Sequence, residues 1–429
     1  VLYATQQRLP TPPASTYYFA EGTTRPGFDE WICIQNSGDR NANVTITYML
    51  ETGTNIDNTM VVPAHSRSTV NVNAAVGPDH DVSARVTADR LIVAERPMYF
   101  NYYGWTGGHC TIGAQETSRL WYFAEGTTRS GFEEYLTIQN PSDRDARVDI
   151  TSVLGNGTTV PGVAYVGARS RATVNVNAAV GPEQDVSMVV KCDNVAIVAE
   201  RPMYFNYQGL TGGHCVMGSN SLDTQWYFAE GTTRSGFDTY ICLQNPYNVD
   251  AVASLTFILG DGSTVVQPML VPATSRQTLR VNDAIGPDQD VSTVVESDSL
   301  LLAERPMYFL YSGGWPGGHV ATGARNPENS WFFAEGTTRA GFVEWLSLQN
   351  PGDIDATATL SFMLEDGTVQ DNDVAVPAHT RVTVAVPNFI GPDRDVSVAI
   401  GCDQAIVAER PMYFIYQYVW PGGHVVVGL

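Results

Sequence analysis

Short runs of β-branched and aromatic residues, alternating with polar ones and cut by Gly, Pro and Asn, fill the chain. Between Ala146 and Leu154, the side chains of Val148, Ile150 and Leu154 point one way and those of Arg147, Asp149 and Thr151 the other. Ala172, Val174 and Val176 alternate in the same way with Arg171, Thr173 and Asn175. A period of two is the mark of a half-buried strand. Asn156-Gly157 is a hairpin signal and Gly181-Pro182 a break. WYFAE from Trp121, EYLTIQN, DVSMVV, AIVAERPMYFNY and HCVMG read as further strands, and no window has helical periodicity. About seven or eight strands per hundred residues predict an all-β fold, an antiparallel immunoglobulin-like β-sandwich.

That pattern occurs four times. AEGTTR begins at Ala20, Ala124, Ala229 and Ala334, and AERPMYF at Ala94, Ala199, Ala303 and Ala408, each at offsets of 104 or 105 residues. Gly-Phe, Gln-Asn, a lone arginine (Arg67, Arg171, Arg276, Arg381), Gly-Pro, Asp-Val-Ser and Gly-Gly-His (His109, His214, His319, His424) recur in the same order. Solenoid units run to about 20–50 residues, so this period is that of a self-contained domain. The division predicted is an N-terminal arm (1–16) and four sandwich repeats (17–117, 118–221, 222–327, 328–429). Linkers such as AQETSR and SNSLDTQ are short, so neighbours are expected to touch and to form a semi-rigid rod of roughly 130–160 Å.

Charge narrows the partners. The 429 residues carry a formal charge of −21, and Lys191 is the single lysine. Nucleic acid and anionic lipid need clustered Lys and Arg, so neither is expected. No apolar run reaches the roughly 18 residues of a membrane span, and membrane insertion is not expected. The chain opens at Val1 without a charged-then-apolar leader, as a processed chain or a cut from a longer array does.

The recurring acid and base residues are Glu21, Arg25, Glu95 and Arg96, with Glu125, Arg129, Glu200 and Arg201 in the second copy. Glu230, Arg234, Glu304 and Arg305 follow in the third, and Glu335, Arg339, Glu409 and Arg410 in the fourth. An active site is rarely repeated fourfold, whereas a fold-specifying ion pair must be, so these are read as structural pairs rather than catalytic groups. Carboxylates two apart in the Gly-Pro turns (Asp79 and Asp81, Glu183 and Asp185, Asp288 and Asp290, Asp393 and Asp395) suit calcium in ligand type. No EF-hand loop is present, and an Asx cap is the ordinary reading of such a turn. Gly-Gly-His supplies one His per copy where zinc wants three or four N or S ligands, so a packed His is expected. No Walker loop, dinucleotide fingerprint or Gly-x-Ser-x-Gly occurs, and neither enzyme nor cofactor is implied, calcium being the one ion with matching chemistry. Trp105, Trp315 and Trp420 beside Gly-Gly-His, and Trp31, Tyr135, Tyr240 and Trp345 at one equivalent strand position, are either core or platforms for sugar rings.

Six cysteines fall in three classes: Cys33 and Cys242, Cys192 and Cys402, Cys110 and Cys215. Three disulfide schemes are open. One joins Cys192 to Cys242 and leaves Cys402 to meet Cys33 of another molecule. A second joins Cys33 to Cys192 and Cys242 to Cys402. A third joins Cys33 to Cys110 and Cys192 to Cys215. The first, with an apolar arm starting Val1-Leu2-Tyr3 and an end at Leu429 on a bare strand edge, suits a head-to-tail homopolymer.

WYFAEGTTRxGFxEYLxIQNP together with AERPMYF and Gly-Gly-His resembles a repeat of secreted and cell-surface proteins of actinobacteria and related bacteria, over essentially the whole chain after Thr16. The resemblance implies an extracellular or cell-surface location more than a function, and transfers no catalytic residue. The expectation is thus an extracellular structural protein of a surface filament, sheath or stalk. The alternatives are an adhesin or array binding surface glycans and the spacer region of a cell-wall enzyme.

Overall fold

The computed structural model describes residues 13–429. The N-terminal arm predicted over 1–16 lies outside them except for its last four residues, and Ala14–Thr16 belong to the first strand. In the first repeat the strands are β1 (Ala14–Phe19), β2 (Phe28–Asn36), β3 (Ala42–Leu50), β4 (Asn55–Val62), β5 (Ser66–Asn71), β6 (Val82–Tyr102) and β7 (Trp105–Ile112). A one-turn helix, α1 (Val72–Val76), follows β5. All pairings are antiparallel. The first half of β6 lies between β3 and β1, and its second half between β2 and β7. One 21-residue strand therefore belongs to two sheets, and their facing side chains, among them Phe19, Ile34, Ile46, Val82 and Ala94, form one core. In the second repeat the same strand is interrupted, as Val186–Cys192 and Val198–Tyr207.

The alternating segments behave as strands, with two departures. Asn175 ends its strand and caps a one-turn helix, accepting a bond from the Ala178 amide at 2.7 Å; the alternation gives no warning, since Val-Asn-Ala-Ala-Val is too short to develop a period of 3.6. Arg171, on the expected solvent face, is buried, because that face meets the neighbouring repeat.

The repeats do not form a rod. The axial strand β7 packs against its counterparts Leu210–Met217 and Trp420–Val427, and these two pack against Trp315–Thr322, so the order closes on itself. Gly-Gly is what permits this. A Cβ on Gly107 would lie 3.2 Å from the Gly212 Cα, one on Gly212 3.1 Å from Gly317, one on Gly317 3.2 Å from Gly422, and one on Gly422 3.1 Å from Gly107. Four strands converge on one axis only where they carry no side chain. Short linkers fix that neighbours touch, and the angle at which they touch, repeated four times, closes a ring.

Of the features expected to drive head-to-tail growth, the strand edge at Leu429 is engaged inside the molecule, and the apolar arm starting Val1-Leu2-Tyr3 lies outside the described residues. Leu429 exchanges main-chain hydrogen bonds with Phe332 at 3.1 and 3.4 Å, so the C-terminal edge is covered by its own repeat. All six cysteines are free thiols in the single chain, which sets aside every bridge of the three schemes that lies within one molecule. Cys33 instead contacts Arg67 (3.1 Å), Cys242 contacts Arg276 (3.2 Å), and Cys192 contacts Asn194 (3.2 Å).

Candidate functional site

The recurring motifs meet at the four junctions between repeats. At the junction of repeats 1 and 2, Arg96 from β6 lies 3.0 Å from Glu200 of the next repeat and donates to the Glu21 carbonyl. Glu200 in turn accepts the Ala20 amide at 2.8 Å. The same exchange joins Arg201 to Glu304 (3.0 Å), Arg305 to Glu409 (2.8 Å) and, closing the ring, Arg410 to Glu95 (2.9 Å). Each guanidinium is buried against the aromatic ring of its own first strand, Phe19, Phe123, Phe228 or Phe333. In the motif Ala-Glu-Arg, then, Glu and Arg serve two different junctions. Adjacent residues of a strand point to opposite faces and cannot pair with each other.

The lone arginine also reaches back one repeat. Arg171 lies 3.4 Å from Glu21 and 3.5 Å from Asp81, and Asp81 is held by Arg25 at 2.8 Å. Arg381 meets Glu230 at 3.4 Å, Arg276 donates to the Ala124 carbonyl at 3.1 Å, and Arg67 to the Gly336 carbonyl at 2.8 Å across the closing junction. The Gln-Asn pair divides its labour: Gln139 donates to Ala84 of the preceding repeat, while Asn140 ties its own loop through Arg144, Val166 and Gly167. Burial pushes the Glu21 carboxyl up in pKa despite Arg171 and Arg96, which pull it down.

These groups border a cavity of about 390 Å³ between repeats 1 and 2. Its polar side is Glu21, Thr23, Arg25, Asp81, Arg171 and Thr173, and its aromatic side Phe28, Tyr102, Tyr135 and Tyr204. Tyr102 stacks on Tyr204 at 4.1 Å and shares a hydroxyl hydrogen bond with Tyr135 at 2.8 Å. The stack recurs at each junction, as Tyr207 on Tyr308, Tyr311 on Tyr413 and Tyr416 on Tyr99. The aromatic position noted in the sequence is occupied by Tyr135, Tyr240, Trp345 and Trp31, all half-buried, as are Trp105, Trp315 and Trp420.

The paired carboxylates of the Gly-Pro turns are separated in role. Asp81, Asp185, Asp290 and Asp395 bind Arg25, Arg129, Arg234 and Arg339 at 2.6–2.8 Å. Asp79, Glu183, Asp288 and Asp393 occupy left-handed turn positions with φ between 58° and 64°. An arginine stands where calcium would need a ligand set.

The four Gly-Gly-His histidines are buried, and neither ring nitrogen has a protein hydrogen-bond partner in any of them. Burial holds all four well below the usual pKa, with the nearby arginines adding to the effect, so they are neutral. Cys110, Glu335 and His424 gather within 4.8 Å, which is a metal-ligand grouping by type. Arg410, however, sits 2.9 Å from Glu335 and 3.7 Å from Cys110, and a cation entering there would face a fixed guanidinium.

Sequence reasoning passed over Glu30, Glu134 and Glu344. Each is buried beneath the glycine of a Glu-Gly-Thr-Thr-Arg turn: a Cβ on Gly22, Gly126 or Gly336 would come within 2.6–2.7 Å of the carboxyl. Burial pushes the Glu30 pKa to about 8. The third repeat has Thr239 there, donating to the Thr232 carbonyl at 2.6 Å. The signal available was a Glu at an inward strand position, in phase with Leu136 and Ile138.

No family model matches the chain, and no curated protein does. Among solved structures, Thermotoga maritima 1070 is 18% identical with a TM-score of 0.23, over 24% of this chain and 96% of that one. The Anabaena sensory rhodopsin transducer is 26% identical with a TM-score of 0.19, over 20% of this chain and 95% of that one. A tetra-tandem repeat from the extending region of a large adhesion protein is 12% identical with a TM-score of 0.11, over 92% and 93%.

Proposed function

We propose that this chain is a non-catalytic, extracellular glycan-binding ring: four immunoglobulin-like repeats with the binding site in the cavity between repeats 1 and 2. One observation carries the reading. The residues that recur in every copy converge on an inter-repeat cavity whose two sides match the two sides of a sugar ring. Phe28 and Tyr102 offer apolar ring surface to a C–H face, and the Arg25–Asp81–Arg171–Glu21 chain offers fixed donors and acceptors to hydroxyl groups. The cavity's volume is at the small end of ligand sites and suits one or two sugar units. Its charges are balanced by their own ion pairs, which favours a neutral ligand. The acidity of the whole chain disfavours polyanions.

The test is titration of the purified chain with glucose, galactose, mannose and N-acetylglucosamine, followed by ligand-observed NMR. Replacing Arg25, Arg129, Arg234 and Arg339 together by Ser removes the exposed Arg25 donor from the cavity, and its equivalents from the other junctions, without touching the buried pairs. A fall in affinity of at least tenfold, with an unchanged melting temperature, is expected. Failure of the native chain to bind any of the four sugars, or unchanged binding by the variant, would sink the reading.

A further inference from the structure

The four axial strands leave the axis through hairpin tips, and equivalent glycines of neighbouring strands meet at the same level. The four tips therefore emerge on one face of the ring and surround the axis. They are unequal. Repeat 2 offers Gln208 and repeat 3 Ser312, whereas repeat 1 offers Tyr103, 92% exposed, and repeat 4 offers Tyr418 and Val419, 74% and 62% exposed. Tyr103 and Tyr418 stand at left-handed backbone positions, with φ of 48° and 60°. A bulky aromatic is costly there, and folding alone gives no reason for it. Tyr103 also lines the cavity between repeats 1 and 2, so the apolar side of the crown is continuous with a junction site.

Building on the glycan reading, we propose that the ligand is a neutral polysaccharide rather than a free sugar. One unit occupies the cavity between repeats 1 and 2, and the chain continues past Tyr103 over the tip of repeat 4. Stacking on exposed aromatic side chains is insensitive to which hydroxyl carries the linkage, so the crown adds affinity with length while the cavity selects the unit. Linking the two contacts makes the second intramolecular, and its gain appears only when the ligand spans both.

Binding of glucose and its β-1,4-linked di- to hexasaccharides, with the N-acetylglucosamine series in parallel, tests this on the full chain by calorimetry. In at least one series the affinity is expected to rise tenfold or more from one unit to six. Tyr418→Ser with Val419→Ser, at residues that do not border the cavity between repeats 1 and 2, is expected to abolish that rise and leave binding of the single unit unchanged. A length-independent affinity, or a rise that survives the double substitution, overturns the crown proposal and leaves the cavity reading standing. Binding of the hexamers that the crown variant loses and the four-arginine variant keeps overturns the cavity reading instead. No binding in either series overturns both.

Discussion

Glu30 illustrates how a single residue sets a pH dependence. Its carboxyl is buried beneath Gly22 and keeps its proton to about pH 8, because desolvation outweighs the attraction of Arg96. Unfolded, it releases that proton near the ordinary value of about 4.3. The folded state therefore binds the proton more tightly. The stabilisation is fully present below the unfolded pKa, is lost progressively as pH rises, and is gone above about 8. Glu30→Gln keeps the shape and removes the charge. Thermal melts are expected to show the variant gaining on the native protein as pH rises from 4 to 8, with little difference at pH 4. The histidines act in the opposite direction. His109 and its three equivalents are held neutral by burial, so their contribution is present above the ordinary His pKa of about 6.5 and is lost as pH falls below it. The thiols add a chemical check. Burial pushes Cys33 and Cys242 to about 11 and Cys402 to about 12. A thiol-reactive dye is expected to label none quickly in the native protein and all six after denaturation, with or without reductant.

At the scale of the element, the axial strand is where sequence and assembly meet most tightly. Gly212 sits with the Phe205 ring on one side and Gly317 on the other, so a methyl group at that position would lie 2.6 Å from the Phe205 Cζ and 3.1 Å from the Gly317 Cα. Both obstacles are embedded in packed strands and neither can retreat without moving a neighbouring repeat. Gly212→Ala is expected to destabilise the protein by about 1–3 kcal/mol or more. Hydrogen exchange should speed up along Leu210–Met217 before the outer strands are affected. Gly162, on an outer strand, tolerates the same change, because a Cβ there meets Ile150 at an ordinary 3.8 Å.

For the whole molecule, closure is the property to measure. A compact body of this length has a radius of gyration of about 22 Å, whereas four domains in line would give roughly 40 Å. Small-angle scattering of the native chain is expected to return the smaller value. Arg410 and Glu95 carry closure chemically, as a fully buried pair between the last repeat and the first. Arg410→Ala takes the guanidinium from the buried Glu95 and leaves it only the Ala334 amide and the Cys110 thiol, at a cost of about 3–5 kcal/mol. Because that junction is the one not reinforced by chain connectivity, the variant is expected to open there first and to raise the radius of gyration before it unfolds.

The sequence by itself determined the repeat and the strands, because both are written in local patterns. A period of two along Ala146–Leu154 and the turn at Asn156-Gly157 depend only on neighbours in the chain, and AEGTTR and AERPMYF announce their own recurrence. It also identified the charged residues of the junctions without their partners. Alternation along the strand keeps Arg96 from Glu95, but nothing local points Arg96 to Glu200, which is 104 positions away. Tertiary structure alone decided the rest. The docking angle between repeats closes the ring, makes Gly-Gly its axis, buries Arg171 on a face that reads as solvent, and covers the strand edge at Leu429. Those outcomes depend on contacts between residues far apart in the chain, and alternation along a strand carries no record of them.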